Sequence, residues 1–389
     1  MTHVLFVTGE FPPQQGGVGA YTLELCRALA KLDVDTSVVT SASVAVSPEH
    51  TANDPTVHNT VGRWDWRIWR EIDKLARSTH VEWVHVQYQT AAFNMNPAIN
   101  FAPQRWHGSQ DSFRVAWTYH DLLVPYLFPK AGDRLRRWVT VQPARTSDLS
   151  IVTNEGDLRT LSDLDVTNLH KIVIGSNIQG RIMDVDERRA RRQERRYHDD
   201  DRVLAYFGFL NRSKGVTTLI RALHRLTDDY PTVKLLMIGE RVGASDPTNY
   251  AFLQEVEALI AELDLADRIQ WTDRQPDSEV AADLNACDLL VLPYVDGASP
   301  RRGTLMAGLA NGCAIVTTTP QTPLPELVDE RELLYVAPEN DVALAKIISR
   351  ALNNPALVER LRRQARTAIG QFDWDKIAAE HVALYERDV

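Results

Sequence analysis

The stretch VLAYFGFLNRSKGVTTLI, Val203–Ile220, passes from an apolar run through a short polar loop into a segment with helical spacing. Val203–Phe207 is dense in β-branched and aromatic residues and predicts a strand. Gly208 and Asn211 break the run, and from Val216 the apolar side chains recur at three and four residues, which predicts a helix. Arg212 and Lys214 therefore stand at a helix entrance, where unpaired backbone N–H groups and the helix dipole favour a phosphate. Taken alone, the two cations are equally well read as solvated loop charges.

Working outward, the same alternation covers the chain. Before this stretch, strands are expected at His3–Thr8, Thr36–Thr40, Trp83–Gln87, Arg114–Thr118, Leu149–Thr153 and Lys171–Ile174, with the loop Gly9–Gly19 and a helix Ala20–Leu32 after the first. Beyond it, strands are expected at Lys234–Ile238, Ile269–Thr272, Leu289–Leu292, Ala314–Thr318 and Leu334–Val336. Helices at Val216–Thr227, Asn249–Leu263, Asp277–Ala286 and Leu305–Asn311 lie between them. Strands alternating with helices imply parallel sheets covered on both faces, and two such series imply two doubly wound domains. The expected boundaries are an N-terminal domain 1–180, a linker 181–201, a C-terminal domain 202–371, and a last helix 372–389 that returns to the first domain. The linker contains RRARRQERRYHDDD, read as a solvated surface helix. Ligands of open α/β sheets bind beyond the carboxyl ends of the strands, so the loops after each strand hold the candidate residues.

At 389 residues the chain is long enough for two cores, and 44% hydrophobic with 24% charged residues is the composition of a soluble globular protein. A formal net charge of −9 argues against nucleic acid as partner. Three widely spaced cysteines, Cys26, Cys287 and Cys313, make neither a disulfide framework nor a zinc spacing, and suit a reducing compartment. The N-terminus reads as a first strand and not as a signal peptide, so a cytoplasmic location is expected.

Several segments together resemble the retaining GT-B glycosyltransferases of the family numbered four. These are FPPQQGGVGAYTLELCRALAKL (11–32), TYHDLLVPYLFP (118–129), IVTNEGDLRTL (151–161), KIVIGSNI (171–178), YFGFLNRSKGVTTLIRAL (206–223), CDLLVLPYVDGASPRRGTLMAGLANGCAIVTT (287–318) and PLPELV (323–328). The resemblance implies a GT-B fold, with two Rossmann-like domains facing each other across a cleft. It implies transfer of a hexose-like group from a nucleotide diphosphate sugar to an acceptor. Such chemistry is positioning and electrostatics, and needs neither cofactor nor metal where cations and helix N-termini carry the leaving charge.

By the same resemblance, Arg212 and Lys214 grip the diphosphate and Gly16 and Gly17 approach it through their backbone. Arg301 and Arg302 add cations before the helix that opens at Gly303 and Thr304. His120 sits beside the donor sugar or the reacting carbon, with a buried structural histidine as its alternative. Glu326 approaches the ribose or base, with a helix cap as its alternative. The base is read near Arg274 and Gln275, and Tyr88 and Asp121 lie on the acceptor side.

The family's paired glutamates around the donor-site helix are absent. Anchoring on Gly312 puts Ser299 and Ala307 at those positions. Anchoring on Pro293 puts Asp296 at the first and leaves a longer loop around Pro300–Arg302, which is the preferred alignment because a carboxylate suits a sugar hydroxyl. Phe209 replaces the usual arginine of the basic loop. The rival readings are a nucleotide-sugar epimerase-like enzyme and a non-catalytic sugar-nucleotide binder. Two stripes of tryptophan and arginine, Arg63–Arg70 and Arg134–Trp138, leave peripheral membrane contact open beside ordinary packing.

Overall fold

The computed structural model describes residues 2–14, 16–45, 51–107, 113–122, 124, 132–241 and 247–387. It divides into two compact units, Met1–Gly175 with Asp373–Val389, and Ser176–Phe372.

The first unit has strands β1 (His3–Val7), β2 (Asp35–Ser41), β3 (Thr56–Val61), β4 (Trp83–Tyr88), β5 (Arg114–Tyr119), β6 (Leu149–Val152) and β7 (Leu169–Lys171). They form one parallel sheet in the order β3-β2-β1-β4-β5-β6-β7. Its helices are α1 (Gly17–Ala30), α2 (Ile68–Ser78), α3 (Ala102–His107), α4 (Asp133–Thr146) and α5 (Glu155–Ser162). Strand β3 was not expected: four of the six residues of TVHNTV are polar, and it lies at a sheet edge with one buried residue, so it lacks the apolar run of the central strands. The last strand is centred on Leu169–Lys171 and not on Lys171–Ile174.

The second unit opens with α6 (Val185–Glu194). It continues through β8 (Arg202–Phe207), α7 (Val216–Leu226), β9 (Val233–Ile238), α8 (Pro247–Glu262), β10 (Ile269–Trp271), α9 (Asp277–Ala286), β11 (Leu289–Leu292), α10 (Gly303–Ala310), β12 (Ile315–Thr318) and β13 (Leu334–Val336). Helices α11 (Asp341–Leu352) and α12 (Pro355–Ala368) follow. The parallel sheet runs β10-β9-β8-β11-β12-β13. Central strands such as LLVL are buried along their whole length, which is why they read as unbroken apolar runs.

Residues 181–201 are no linker. They lie inside the second unit, and four of the arginines expected to be solvated, Arg188, Arg191, Arg192 and Arg195, are buried or partly buried. Arg191 Nε donates to Asp283 Oδ1 at 2.7 Å and Arg195 Nε to the same oxygen at 2.9 Å, while Asp283 itself is fully buried in α9. Two guanidinium groups neutralise that carboxylate and tie α6 to the domain.

The last helix, α13 (Trp374–Tyr385), belongs to the first unit, where it packs on α1 and places Ile377, Ala378, Leu384 and Tyr385 in the same core as Val4, Phe6 and Leu25. His85 in β4 donates to or accepts from Tyr385 Oη at 2.6 Å and Thr118 Oγ1 at 2.7 Å, so a buried polar chain fixes the helix to the sheet. All three cysteines are buried free thiols.

Candidate functional site

The strand order of the second sheet reverses between β8 and β11, and the loops leaving these two strands diverge to opposite faces. That is the crevice in which open α/β sheets hold ligands. Three contacts stitch the loops together. Val295 N donates to Ser213 O at 2.9 Å. Gly215, at φ 68°, lies so close to Pro293 that a Cβ would fall 1.9 Å from its carbonyl oxygen, which excludes any other residue there. Tyr294 Oη lies 2.6 Å from Thr304 Oγ1.

Tyr294 is the floor of this site. Its buried ring carries Lys214 Nζ 5.3 Å from the centroid and the Arg302 guanidinium 4.8 Å from it. Two cations on one ring gain from its quadrupole but repel each other. Arg302 is compensated by Asp296, whose two carboxylate oxygens both accept from Nη2. Lys214 makes no hydrogen bond or ion pair among the described residues. Burial, aided by Arg302 and opposed by Asp296, holds its pKa down to about 8. Helices α7 and α10 start here, and neither first turn receives a side-chain cap. Unpaired N–H groups of two helix N-termini and an uncompensated ammonium thus converge on one crevice, an arrangement that stabilises a multiply charged anion.

The first sheet reverses between β1 and β4, and its crevice is built differently. The Glu10 carboxylate turns back onto α1 and accepts from Val18 N at 2.9 Å and Gly19 N at 3.3 Å. Burial raises its pKa despite these two donors. At the end of β5, His120 is buried with its ring edge-on to Tyr21 at 4.7 Å and Nε2 2.9 Å from Gln87 Oε1. Asp121 beside it accepts from Gln89 Nε2 at 3.1 Å. The Gln87 Nε2 group is buried without a partner among the described residues.

A family model described as glycosyl transferases group 1 matches residues 187–368, and one described as glycosyltransferase family 4 matches residues 15–177. The two matches lie end to end on a chain with the GT-B fold. The MMP alpha-(1->4)-mannosyltransferase of Mycolicibacterium hassiacum is 29% identical over 181 residues, which is 45% of this chain and 40% of that one, so the chain spans less than half of that relative's length. The D-inositol 3-phosphate glycosyltransferase of Jonesia denitrificans is 22% identical over 96% of this chain and 91% of its own. Among solved structures, sucrose-phosphate synthase from Thermosynechococcus elongatus superposes with a TM-score of 0.76 at 21% identity, over 99% of this chain and 98% of its own. Anabaena HepE in complex with UDP superposes with 0.77 at 16%, over 98% and 99%.

The expected site residues separate into groups. Lys214, Arg302, Asp296, Gly303 and Thr304 meet around Tyr294, and Ser299 supports the same loop by accepting from Arg301 N at 3.3 Å. Arg212 is a correction. Its exposed side chain turns away to Glu255 in α8 and lies over the Phe252 ring, so Lys214's companion is Arg302 and not its near neighbour in sequence. Gln275 is another, since its amide is consumed by Arg195 Nη2 and Asp283 Oδ2, both at 2.7 Å. Arg274 is exposed and 4.0 Å from Glu240.

Tyr88, expected on the acceptor side, is a core residue. It is buried, with its hydroxyl 3.1 Å from Thr90 Oγ1 and 3.0 Å from Asn100 Nδ2. Gly16 is the N-cap of α1, but the anion at that helix end is the protein's own Glu10, and Gly17 has open space where a Cβ would stand. Glu326 is half-buried in the turn after β12. Part of the segment 118–129 lies outside the described residues.

Sequence reasoning passed over Tyr294, Glu10 and Gln87; an aromatic two residues past a strand and a glutamate three residues past one carry no local signal. It also passed over five Asp-x-Asp tripeptides. Asp184 and Asp373 cap α6 and α13, Asp199 pairs with Arg189, and Asp33 and Asp165 take left-handed turn conformations. None of these aspartates lies among the residues around Tyr294.

Proposed function

We propose that the protein transfers a hexose-like group from a nucleoside diphosphate sugar to an acceptor hydroxyl, with retention of configuration, without metal, and in the cytoplasm. The observation that carries this reading is the unpaired Lys214 ammonium beside Arg302 on Tyr294, at the uncapped starts of α7 and α10. As the bond from the anomeric carbon to the diphosphate oxygen breaks, its electron pair stays on that oxygen, and these groups stabilise the charge. The acceptor oxygen bonds to the same carbon, and its proton passes to the departing diphosphate oxygen. Retention rests on the resemblance to family four, and His120 remains the proposed catalytic residue of the first unit. None of the described helices is long and apolar enough to cross a membrane.

The test is a thermal-shift panel of UDP, GDP, ADP and dTDP sugars on wild type and Lys214→Ala, followed by donor turnover. A ligand at a hundred times its dissociation constant adds about 2.7 kcal/mol of stability. The expected result is a shift with one nucleotide, lost in the variant, with slow donor hydrolysis when acceptor is withheld. No shift with any nucleotide overturns the proposal. A shift without hydrolysis selects a non-catalytic binder, and conversion of donor to its epimer without acceptor selects an epimerase.

A further inference from the structure

The two tryptophan–arginine stripes of the sequence, some seventy residues apart, form one surface in the first unit. Trp66 packs edge-on to Trp69 at 4.9 Å between centroids and lies 6.0 Å from Phe101, and Phe101 in turn lies 5.8 Å from Trp138. Phe101 closes a 3-10 turn just before α3, and α3 contacts both α2 and α4, so three helices hold the aromatic row in place.

The row does not belong to the core at its ends. Trp66 is 51% exposed, Trp138 45%, and Leu135, three residues before Trp138 on the same face of α4, 51%. The chain leaves few large apolar side chains in solvent, and a contiguous set of them marks an interaction surface.

Charge selects the partner. Segments 63–78, 101–107 and 133–138 carry nine lysines and arginines against four acidic residues, on a chain whose net charge is −9. Arg134 precedes Trp138 by four residues in α4, so that ring has a cation one helical turn away, and the exposed Arg70 lies in the first turn of α2, just after Trp66. Neither arginine makes an ion pair among the described residues. Indole rings with a polar edge settle at the headgroup level of a bilayer, and arginines beside them meet anionic headgroups.

We propose that this face of α2, α3 and α4 docks on the surface of an anionic phospholipid bilayer, with Trp66, Trp138 and Leu135 entering the interface and Arg70 and Arg134 contacting headgroup phosphates. The contact is peripheral and is independent of the donor-phosphate site.

Co-sedimentation of the full chain with unilamellar vesicles tests it. One set is phosphatidylcholine alone and the other contains about one-third phosphatidylglycerol. Wild type binds the anionic vesicles, does not bind the neutral ones, and is released by salt. Trp66→Ser with Trp138→Ser lowers the partition coefficient at least about tenfold. Arg70→Gln with Arg134→Gln lowers it roughly fivefold per arginine. All these side chains are exposed, so unchanged melting temperatures confirm that folding is intact. Absence of wild-type binding to anionic vesicles overturns the proposal, as does a double tryptophan variant that binds like wild type. Failure to bind, accompanied by tryptophan-dependent self-association in sedimentation velocity, assigns the face to a second copy of the chain instead.

Discussion

The two sheets each reverse strand order at one point, and each reversal is followed by a glycine-bearing loop into a helix, yet the two loops are electrostatic opposites. After β1, Gly9 lies where a Cβ would come within 1.8 Å of Ala92 O, and the Glu10 carboxylate fills the start of α1 so closely that a Cβ on Gly16 would sit 2.2 Å from it. After β8, Gly215 is equally tight against Pro293, but no carboxylate caps α7, and Lys214 is left with burial and a neighbouring cation. Glycine marks close backbone packing in both. Whether such a loop invites an external anion depends on whether the chain has already supplied one.

The largest expected effect is on the open loop. Lys214→Ala should weaken nucleotide-sugar affinity by about a hundredfold, the equivalent of roughly 3 kcal/mol for a charge-assisted contact in a partly buried site. Isothermal titration calorimetry reads it, and affinity within about threefold of wild type would erase the contrast between the loops.

A smaller effect comes with pH. Because burial and Arg302 bring the lysine pKa down to about 8, the free protein loses this cation above that pH. Affinity should then fall by up to about tenfold per pH unit, and the fall should vanish in Lys214→Ala. The stability consequence has the opposite sign. The folded state disfavours the charged lysine, so the group costs stability below its folded pKa, and that cost fades as pH rises toward the unfolded value.

The closed loop should respond mainly in stability. Glu10→Ala removes a helix cap and should cost about 1 kcal/mol in chemical denaturation, and Glu10→Gln, which keeps an acceptor oxygen, should cost less. Nucleotide affinity of the glutamine variant should stay within about twofold of wild type; tightening of about tenfold would reveal the start of α1 as a second anion seat that Glu10 occupies in competition. Least affected should be Arg212→Ala, whose exposed pair with Glu255 is worth at most about 1 kcal/mol, and whose loss should leave affinity within about threefold of wild type.

Much of the fold was legible because burial imposes local periodicity. The central strands of both sheets and helices α7 and α9 lie within a residue or two of their expected bounds, since their side chains pack into continuous cores. The misses are at edges and in charge. Strand β3 is too polar to announce itself. The arginines of 181–201 look solvated because their counter-charge, Asp283, is about ninety residues away. The position of Lys214 at a helix start was legible from its loop, whereas Tyr88, expected on the acceptor side, is held in the core by Asn100 and Thr90.

By itself, then, the chain's sequence determined the alternation of strands and helices, the division into two α/β units, the resemblance to glycosyltransferases and one cation at a helix start. Only the tertiary structure decided that Lys214 lies beside Arg302 and not Arg212, that Glu10 closes the first loop, and that two distant tryptophan stripes are one surface. Backbone periodicity is set by neighbours three or four residues away and is written locally. Charge compensation and surface continuity depend on which strands lie side by side, and strand order brings together residues between which the chain carries no local signal.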